Sequence, residues 1–217
     1  MSVPVAPPSC TISLHNYYGY MPDSHRLDPQ ALAVLAHPLR ARMLAALRVD
    51  GPATATELAD RFSTNTGATS YHLRKLASVG LVDDNGSGTG RRRVWQATAT
   101  YTSYDPSDFT GDPESAAALG WLERHHFDLL VGLVQDWQES RPSWPTAWQD
   151  AAGMSDDVVT VTPEQMKALA EELWEVVGRY REAGTGHPDA RRVAMHVLAT
   201  PLEAKDVPQA STGEVTR

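Results

Sequence analysis

Between Asn65 and Leu81 the chain runs Thr66-Gly67-Ala68-Thr69-Ser70-Tyr71-His72-Leu73-Arg74-Lys75-Leu76-Ala77-Ser78-Val79-Gly80. At helical spacing, Thr69, Leu73 and Leu76, with Ala77 beside them, point inward. Thr66, Gly67, Ser70, Tyr71 and Arg74 are left outward. This outer set carries hydroxyls, a phenol and a guanidinium, groups that hydrogen-bond base edges and phosphates. Further on, Arg91, Arg92 and Arg93 stand side by side after a glycine-rich run, Asp83 to Gly90. Three adjacent guanidinium groups beside a flexible tip suit phosphate contact or insertion into a minor groove.

The elements that must position these groups are legible on both sides. Asp28 followed by Pro29 has the form of a helix start, with Leu32, Leu35 and Ala36 on the apolar face. His37-Pro38 breaks that helix, because proline disfavours helical geometry in the residue before it. Pro38 opens a second helix with Leu39, Met43, Leu44 and Leu47 inward. Arg40, Arg42 and Arg48 face outward, and Arg40 and Arg42 read as a solvated face. Thr54-Ala55-Thr56-Glu57 has capping-box form and begins a third helix that buries Leu58, Ala59 and Phe62. Ser63-Thr64-Asn65 turns the chain, and Asn65 caps the fourth helix. Two short helices joined by a tight turn, the second polar on its outer face, form the helix-turn-helix layout. Leu81-Val82 and the run from Arg91 to Ala97 then read as a β-hairpin with a basic return edge.

Charge agrees with this division. The whole chain is −8, with 19 Lys+Arg against 27 Asp+Glu. Residues 28–98 hold nine basic and six acidic side chains, a net +3, which leaves −11 for the rest. A basic segment inside an acidic chain is expected when only one part meets phosphate. Cys10 is the one cysteine, which permits no internal disulfide and no thiolate-rich metal site. His125, His126, His187 and His196 lack carboxylate or thiolate companions at ligand spacing, so no metal and no cofactor is expected. No G-x-S-x-G, P-loop, H-E-x-x-H or dinucleotide fingerprint occurs, so no enzyme is expected. No apolar run reaches membrane-spanning length and no secretory signal opens the chain, which fits a cytoplasmic protein. Arginine outnumbers lysine sixteen to three, a composition typical of GC-rich bacterial genomes.

Taken together, Ala36-His37-Pro38-Leu39-Arg40, the Glu57-Leu58-Ala59 helix, Ser70-Tyr71-His72-Leu73-Arg74-Lys75-Leu76, Gly80-Leu81-Val82 and the basic hairpin resemble the winged helix-turn-helix of ArsR-like bacterial transcriptional regulators. The resemblance covers about residues 32–98. It implies a recognition helix, residues 66–79, in the major groove of a two-fold DNA site and a wing on the backbone or minor groove. Carried onto these positions, Ser70, Tyr71 and Arg74 become candidates for base edges, with Thr66 and Gly67 beside them. His72 and Lys75 become candidates for phosphate, although His72 could instead pack under the helix. Many relatives carry a basic residue where this chain has Tyr71, and a phenol cannot make the bidentate guanine contact of an arginine. The preferred DNA sequence therefore cannot be borrowed from them.

The sequence divides into a flexible arm (1–27), the winged helix-turn-helix domain (28–105), a C-terminal domain (106–202) and a disordered tail (203–217). The fold class expected is α+β, mainly α. Residues 106–113 read as a polar linker. A long helix follows over 114–139, with Leu119, Leu122, His126, Leu129, Leu133 and Trp137 at three- and four-residue steps. Such a stripe suits dimerisation, since helix-turn-helix proteins commonly bind two-fold sites as homodimers; packing against its own domain is a compatible alternative. Asp157 to Val161 and Arg192 to Ala199 are β-branched runs that read as strands. They flank a helix with Met166, Leu169, Leu173, Val176, Val177 and Tyr180 inward, giving a small sheet-plus-helix unit that resembles the C-terminal region of actinobacterial members of this group. Trp121, Trp137, Trp144, Trp148 and Trp174 either line a small-molecule effector pocket or form core. A second function stays open on the same fold: a winged-helix protein–protein interaction module that does not bind DNA, to which the acidic C-terminal half gives room.

Overall fold

The structure, a computed structural model, describes residues 14–15, 23–90 and 92–203. In chain order its strands are β1 (Leu14–His15), β2 (Ser24–Arg26), β3 (Ala53–Thr54), β4 (Val82–Asp84), β5 (Val94–Ala97) and β6 (Tyr101–Ser103). Its helices are α1 (Pro29–Leu35), α2 (Pro38–Val49), α3 (Ala55–Arg61), α4 (Thr66–Ala77), α5 (Pro113–Ser140), α6 (Thr146–Ala151) and α7 (Pro163–Tyr180). The architecture is mainly helical, with two small sheets and one long helix.

Each helix start in the first half follows from a side chain that satisfies an orphan backbone N–H. The Asp28 carboxylate accepts from Ala31 N at 2.7 Å. His37 caps α2, its Nδ1 accepting from Leu39 N at 3.2 Å. Thr54 and Glu57 form the expected reciprocal capping box on α3. Asn65 Oδ1 accepts from Ala68 N at 2.8 Å and opens α4. The fourth helix ends at Ala77, two residues before the expected boundary. Gly80 adopts φ +73°, which favours glycine, and Leu81 N donates back to Leu76 O at 3.1 Å.

The core lies where these helices meet. Leu32, Leu35, Met43, Leu44, Leu58, Leu73, Leu76 and Leu81 are fully buried together. Over this core lies an antiparallel sheet in the order β3-β5-β4, in register Thr54↔Val94 and Val82↔Ala97. The expected hairpin is present, with two differences. A third strand, β3, joins its return edge, and that edge begins at Val94, so Arg92 and Arg93 lie in the loop before it.

A second sheet is parallel, in the order β1-β6-β2. Ser24 to Arg26 were expected within a flexible arm but pair with Tyr101 to Ser103. Leu27 N then donates to Ser103 O at 2.9 Å, and the Leu27 side chain is buried. Residues 1–13 and 16–22 of the expected arm, including Cys10, Tyr17, Tyr18 and Tyr20, and the expected tail beyond Glu203 lie outside the described residues. Beside this sheet sits Arg48, which the helical pattern placed outward. Its Nε donates to Ala99 O at 3.0 Å, and its other guanidinium nitrogens are buried without a hydrogen-bond partner among the described residues. Burial lowers its pKa to about 10, against the opposing pull of Asp23.

The expected linker at 106–113 contains an anchor. A 3-10 turn at Pro106–Phe109 buries Phe109 in the same core, edge-on to Tyr104 at 6.2 Å. Asp112 then caps α5, accepting from Ser115 N at 2.8 Å. Leu119 and Leu122, expected on a dimerisation face, are buried in this chain's own core with Leu32 and Phe109. They occupy the alternative role of packing within the chain. Further along α5, Trp121 and Leu129 rest partly buried against that core, while Phe127 is 57% exposed and Val131 is also exposed.

The two expected C-terminal strands do not form. Residues 157–161 and 192–199 are without ladder partners, and Val158, Val159, Val161, Val193, Met195 and Leu198 are exposed. Strand preference reflects packing against neighbours on a pleated surface, and neither run meets one here. The helix between them does form, with the expected Thr162/Gln165 capping box. Without a sheet beneath it, its expected inner face is half covered: Met166, Leu169 and Val177 are half-buried, whereas Leu173, Val176 and Tyr180 are exposed, and Ala170 beside them is buried. Trp137, Trp144 and Trp148 pack edge-on to one another, with centroids 5.6 and 6.0 Å apart.

If the start of α5 belongs to the core that positions α4, Leu122→Ala should cost about 2–5 kcal/mol, whereas Phe127→Ala should change stability little. Urea unfolding of the two variants checks this. Equal, small losses would mean that α5 is not integral to that core.

Candidate nucleic-acid interface

The outer face of α4 is oriented by its inner one. Thr69, Leu73 and Leu76 are completely buried, and the Thr69 hydroxyl donates to Asn65 O at 3.1 Å. The turn before the helix is held by Thr64 N donating to Ala59 O at 2.9 Å, with Ser63 in the left-handed region at φ +51°. With the helix so fixed, Thr66, Gly67, Tyr71, Arg74 and Lys75 are exposed and Ser70 is half-buried. Gly67 has a structural reason to be small. A Cβ there would stand 3.2 Å from Asn65 Oδ1, crowding the cap that starts the helix.

Tyr71 is 50% exposed. Its ring meets His72 edge-on at 5.3 Å, and the Lys75 ammonium lies 5.9 Å over its face. Arg74 forms no ion pair among the described residues, so its guanidinium is available to a partner. His72, a phosphate candidate from sequence, turns instead toward the start of α2. Its ring packs 4.6 Å from that of His37, and its Nδ1 is buried. Burial lowers the pKa of both imidazoles, and nearby Arg40 adds to the effect on each. Arg40 itself donates to Val34 O, and Arg42 lies 4.7 Å over the Phe62 ring. Both are thus engaged within the fold.

The described part of the wing loop, residues 85–90 and 92–93, reaches the start of α3 through Arg92. Gly86 and Gly90 adopt positive φ. At Gly88 a Cβ would fall 1.8 Å from Arg92 O, so only glycine lets the loop cross itself. An open hollow of about 480 Å³ lies within this loop, lined by Asp84, Gly86, Gly88, Gly90, Arg92 and Arg93. Arg92 Nη2 donates to Glu57 Oε1 at 3.1 Å. Arg93 Nε is 3.5 Å from Asp84 Oδ2, with its guanidinium 5.8 Å over the Trp95 ring. Arg91 lies outside the described residues. Glu57 and Asp84 were not read from sequence as parts of this site. Glu57 showed only its capping pattern, and nothing local signals that the loop returns 35 residues later to the same carboxylate.

A three-helix core, a tight turn into an exposed polar helix and a glycine-rich hairpin at its flank define a helix-turn-helix domain. Comparison with known families agrees: a family model described as a helix-turn-helix domain matches residues 35–85, from the end of α1 through β4. No curated protein matches the chain. Among the described residues, no helix is long and apolar enough to cross a membrane, and no group of three or more His, Cys, Asp or Glu could hold a metal ion.

The depressed imidazoles set a direction for pH dependence. A histidine whose folded pKa lies below its ordinary value of about 6.5 leaves the unfolded chain binding more protons in acid. The stability is therefore present above that ordinary value and is lost as pH falls through the lowered one. Thermal unfolding should show a lower Tm at pH 5 than at pH 7.5, and His72→Asn should flatten the difference. An unchanged slope in the variant would exclude the His37–His72 contact as a cause.

Proposed function

We propose that this chain is a sequence-specific DNA-binding transcriptional regulator of the ArsR-like kind, acting as a homodimer in the bacterial cytoplasm and carrying no enzymatic activity. The observation that carries this reading is the fixed outer face of α4, where exposed Arg74 and Tyr71 stand opposite a fully buried stripe. A helix about 10–12 Å across fits the major groove of B-DNA. Ser70, Tyr71 and Arg74 then face base edges, with Thr66 and Gly67 at the close approach and Lys75 toward the backbone. His72 supports the helix from beneath. The wing, with Arg91, Arg92 and Arg93, lies along the backbone or in the adjacent minor groove.

Homodimerisation rests on the outer part of α5. Leu119 and Leu122 are committed to the core, so of the expected stripe the pairing face keeps His126, Leu129, Leu133 and Trp137, each partly covered, whereas exposed Phe127 and Val131 lie on the opposite side of the helix. A small-molecule effector would act through the C-terminal half. The alternative, an interaction module that does not bind DNA, draws support from a specific observation: both described wing arginines are engaged by the chain's own carboxylates.

Recovery of bound fragments across a genome should yield a two-fold symmetric motif. Arg74→Ala should weaken binding to that motif by about ten- to a hundredfold, equivalent to about 1–3 kcal/mol. Binding unchanged by Arg74→Ala would overturn α4 as the reading helix. Leu133→Glu should halve the sedimenting mass, and an unaltered mass would remove this face from the dimer.

A further inference from the structure

Glu57 holds two partners, one at the start of its own helix and one in the wing. Its Oε2 accepts from Thr54 N at 2.8 Å and from Thr54 Oγ1 at 2.7 Å, closing the capping box of α3. Its Oε1 accepts from Arg92 Nη2 at 3.1 Å, reaching across to the wing. The Thr54 hydrogen bonds, joined by the Arg92 charge, hold the Glu57 carboxyl below its ordinary pKa, so it is charged at neutral pH. The contact is made possible by β3, whose pairing of Thr54 with Val94 brings the first turn of α3 beside the wing's return edge.

On the reading of this domain as a DNA-binding module, we propose that Glu57 is a further determinant of DNA affinity: its carboxylate occupies Arg92 in the free protein and gives way to a backbone phosphate when the wing docks. Both side chains are more than half exposed, at 57% for Glu57 and 62% for Arg92. An ion pair so open to water is weak. Duplex DNA presents one negative charge per roughly 1.7 Å of axis and gains from counterion release when a guanidinium neutralises a phosphate. The exchange of Glu57 for phosphate is therefore favourable for Arg92. It also leaves an uncompensated carboxylate near the backbone, and that repulsion lowers the affinity for any sequence. Glu57 thus sets how strongly the wing grips DNA in general and leaves the discrimination made by α4 untouched.

The clean variant is Glu57→Gln. A capping box accepts glutamine at this position, and the chain itself uses Gln165 in that role, accepting from Thr162 N at 3.0 Å. The change removes the charge and keeps the cap, which an unaltered thermal midpoint would check. With the full chain and a labelled random-sequence duplex, Glu57→Gln should tighten binding by about two- to fivefold, the range of an exposed ion pair. It should also steepen the slope of log affinity against log salt, by at most about 0.9, because the variant brings one more net positive charge to the phosphates that Arg92 already meets. In an Arg92→Ala background, Glu57→Gln should tighten binding less than it does in the wild type, because only the repulsion between the carboxylate and the backbone is left to relieve. Weaker binding by Glu57→Gln, or no change, overturns the proposal, the first because the carboxylate would then be positioning the wing. If wild type binds and Arg74→Ala does not, the DNA-binding reading stands whatever Glu57→Gln does. If wild type fails to bind any duplex, that reading falls and this inference falls with it.

Discussion

A helix can offer polar groups in a fixed direction only if its opposite side cannot rotate. In α4 that lock is Thr69, Leu73 and Leu76, each completely buried against the helices behind. The spacing of three and four residues places them on one stripe, and close packing leaves no room for a neighbouring register. Everything outward follows. Tyr71 and Arg74 face away because Leu73 and Leu76 face in, and Asn65 fixes where the helix begins. A Cβ at Gly67 would crowd that cap. Even His72, with ring chemistry suited to phosphate, is drawn by its place on the helix toward His37.

Electrostatics on this surface is finer than net charge suggests. The chain is −8 and its first domain carries only a small positive excess, yet the sign at any one point depends on pairing. Arg74 stands unpaired among the described residues, whereas Arg92 and Arg93 share their charge with Glu57 and Asp84. On the proposed DNA-binding reading, a helix with an unpaired guanidinium beside a wing whose described arginines are paired divides the work unequally: specific contacts fall to α4, and the wing supplies a grip that the neighbouring carboxylates moderate.

What could be read from the sequence was local. Asp28-Pro29, Thr54 with Glu57, Asn65, and Thr162 with Gln165 all start helices where their patterns place them, because each cap involves residues within one turn. The inner stripe of α4 is local in the same sense. What could not be read depends on distant partners. The three residues Ser24 to Arg26 carry no strand pattern of their own and pair with residues more than seventy positions later. Arg48 has the look of an exposed helix residue until Ala99 arrives to accept its Nε. Residues 157–161 and 192–199 fail in the other direction, since their β-branched composition is that of a strand but no ladder partner reaches them. The candidate site divides likewise. The outer face of α4 was legible, whereas the carboxylates that hold the wing arginines come from elements that only the fold brings near.

The long helix joins these two scales. Over 28 residues, α5 extends about 42 Å, and its opening turns are pinned by Leu119 and Leu122 in the core that also buries Leu73 and Leu76 of α4. Its direction is therefore fixed relative to the reading helix, with no polar linker to absorb movement, because Phe109 anchors the segment before it. If two copies pair along the outer part of α5, the angle of that pairing passes rigidly to both copies of α4. On that reading, the spacing between two half-sites would be set by how α5 packs against its mate, while the bases read within each half-site would depend on Ser70, Tyr71 and Arg74. Separating spacing from base choice in this way places them on different residues of the chain.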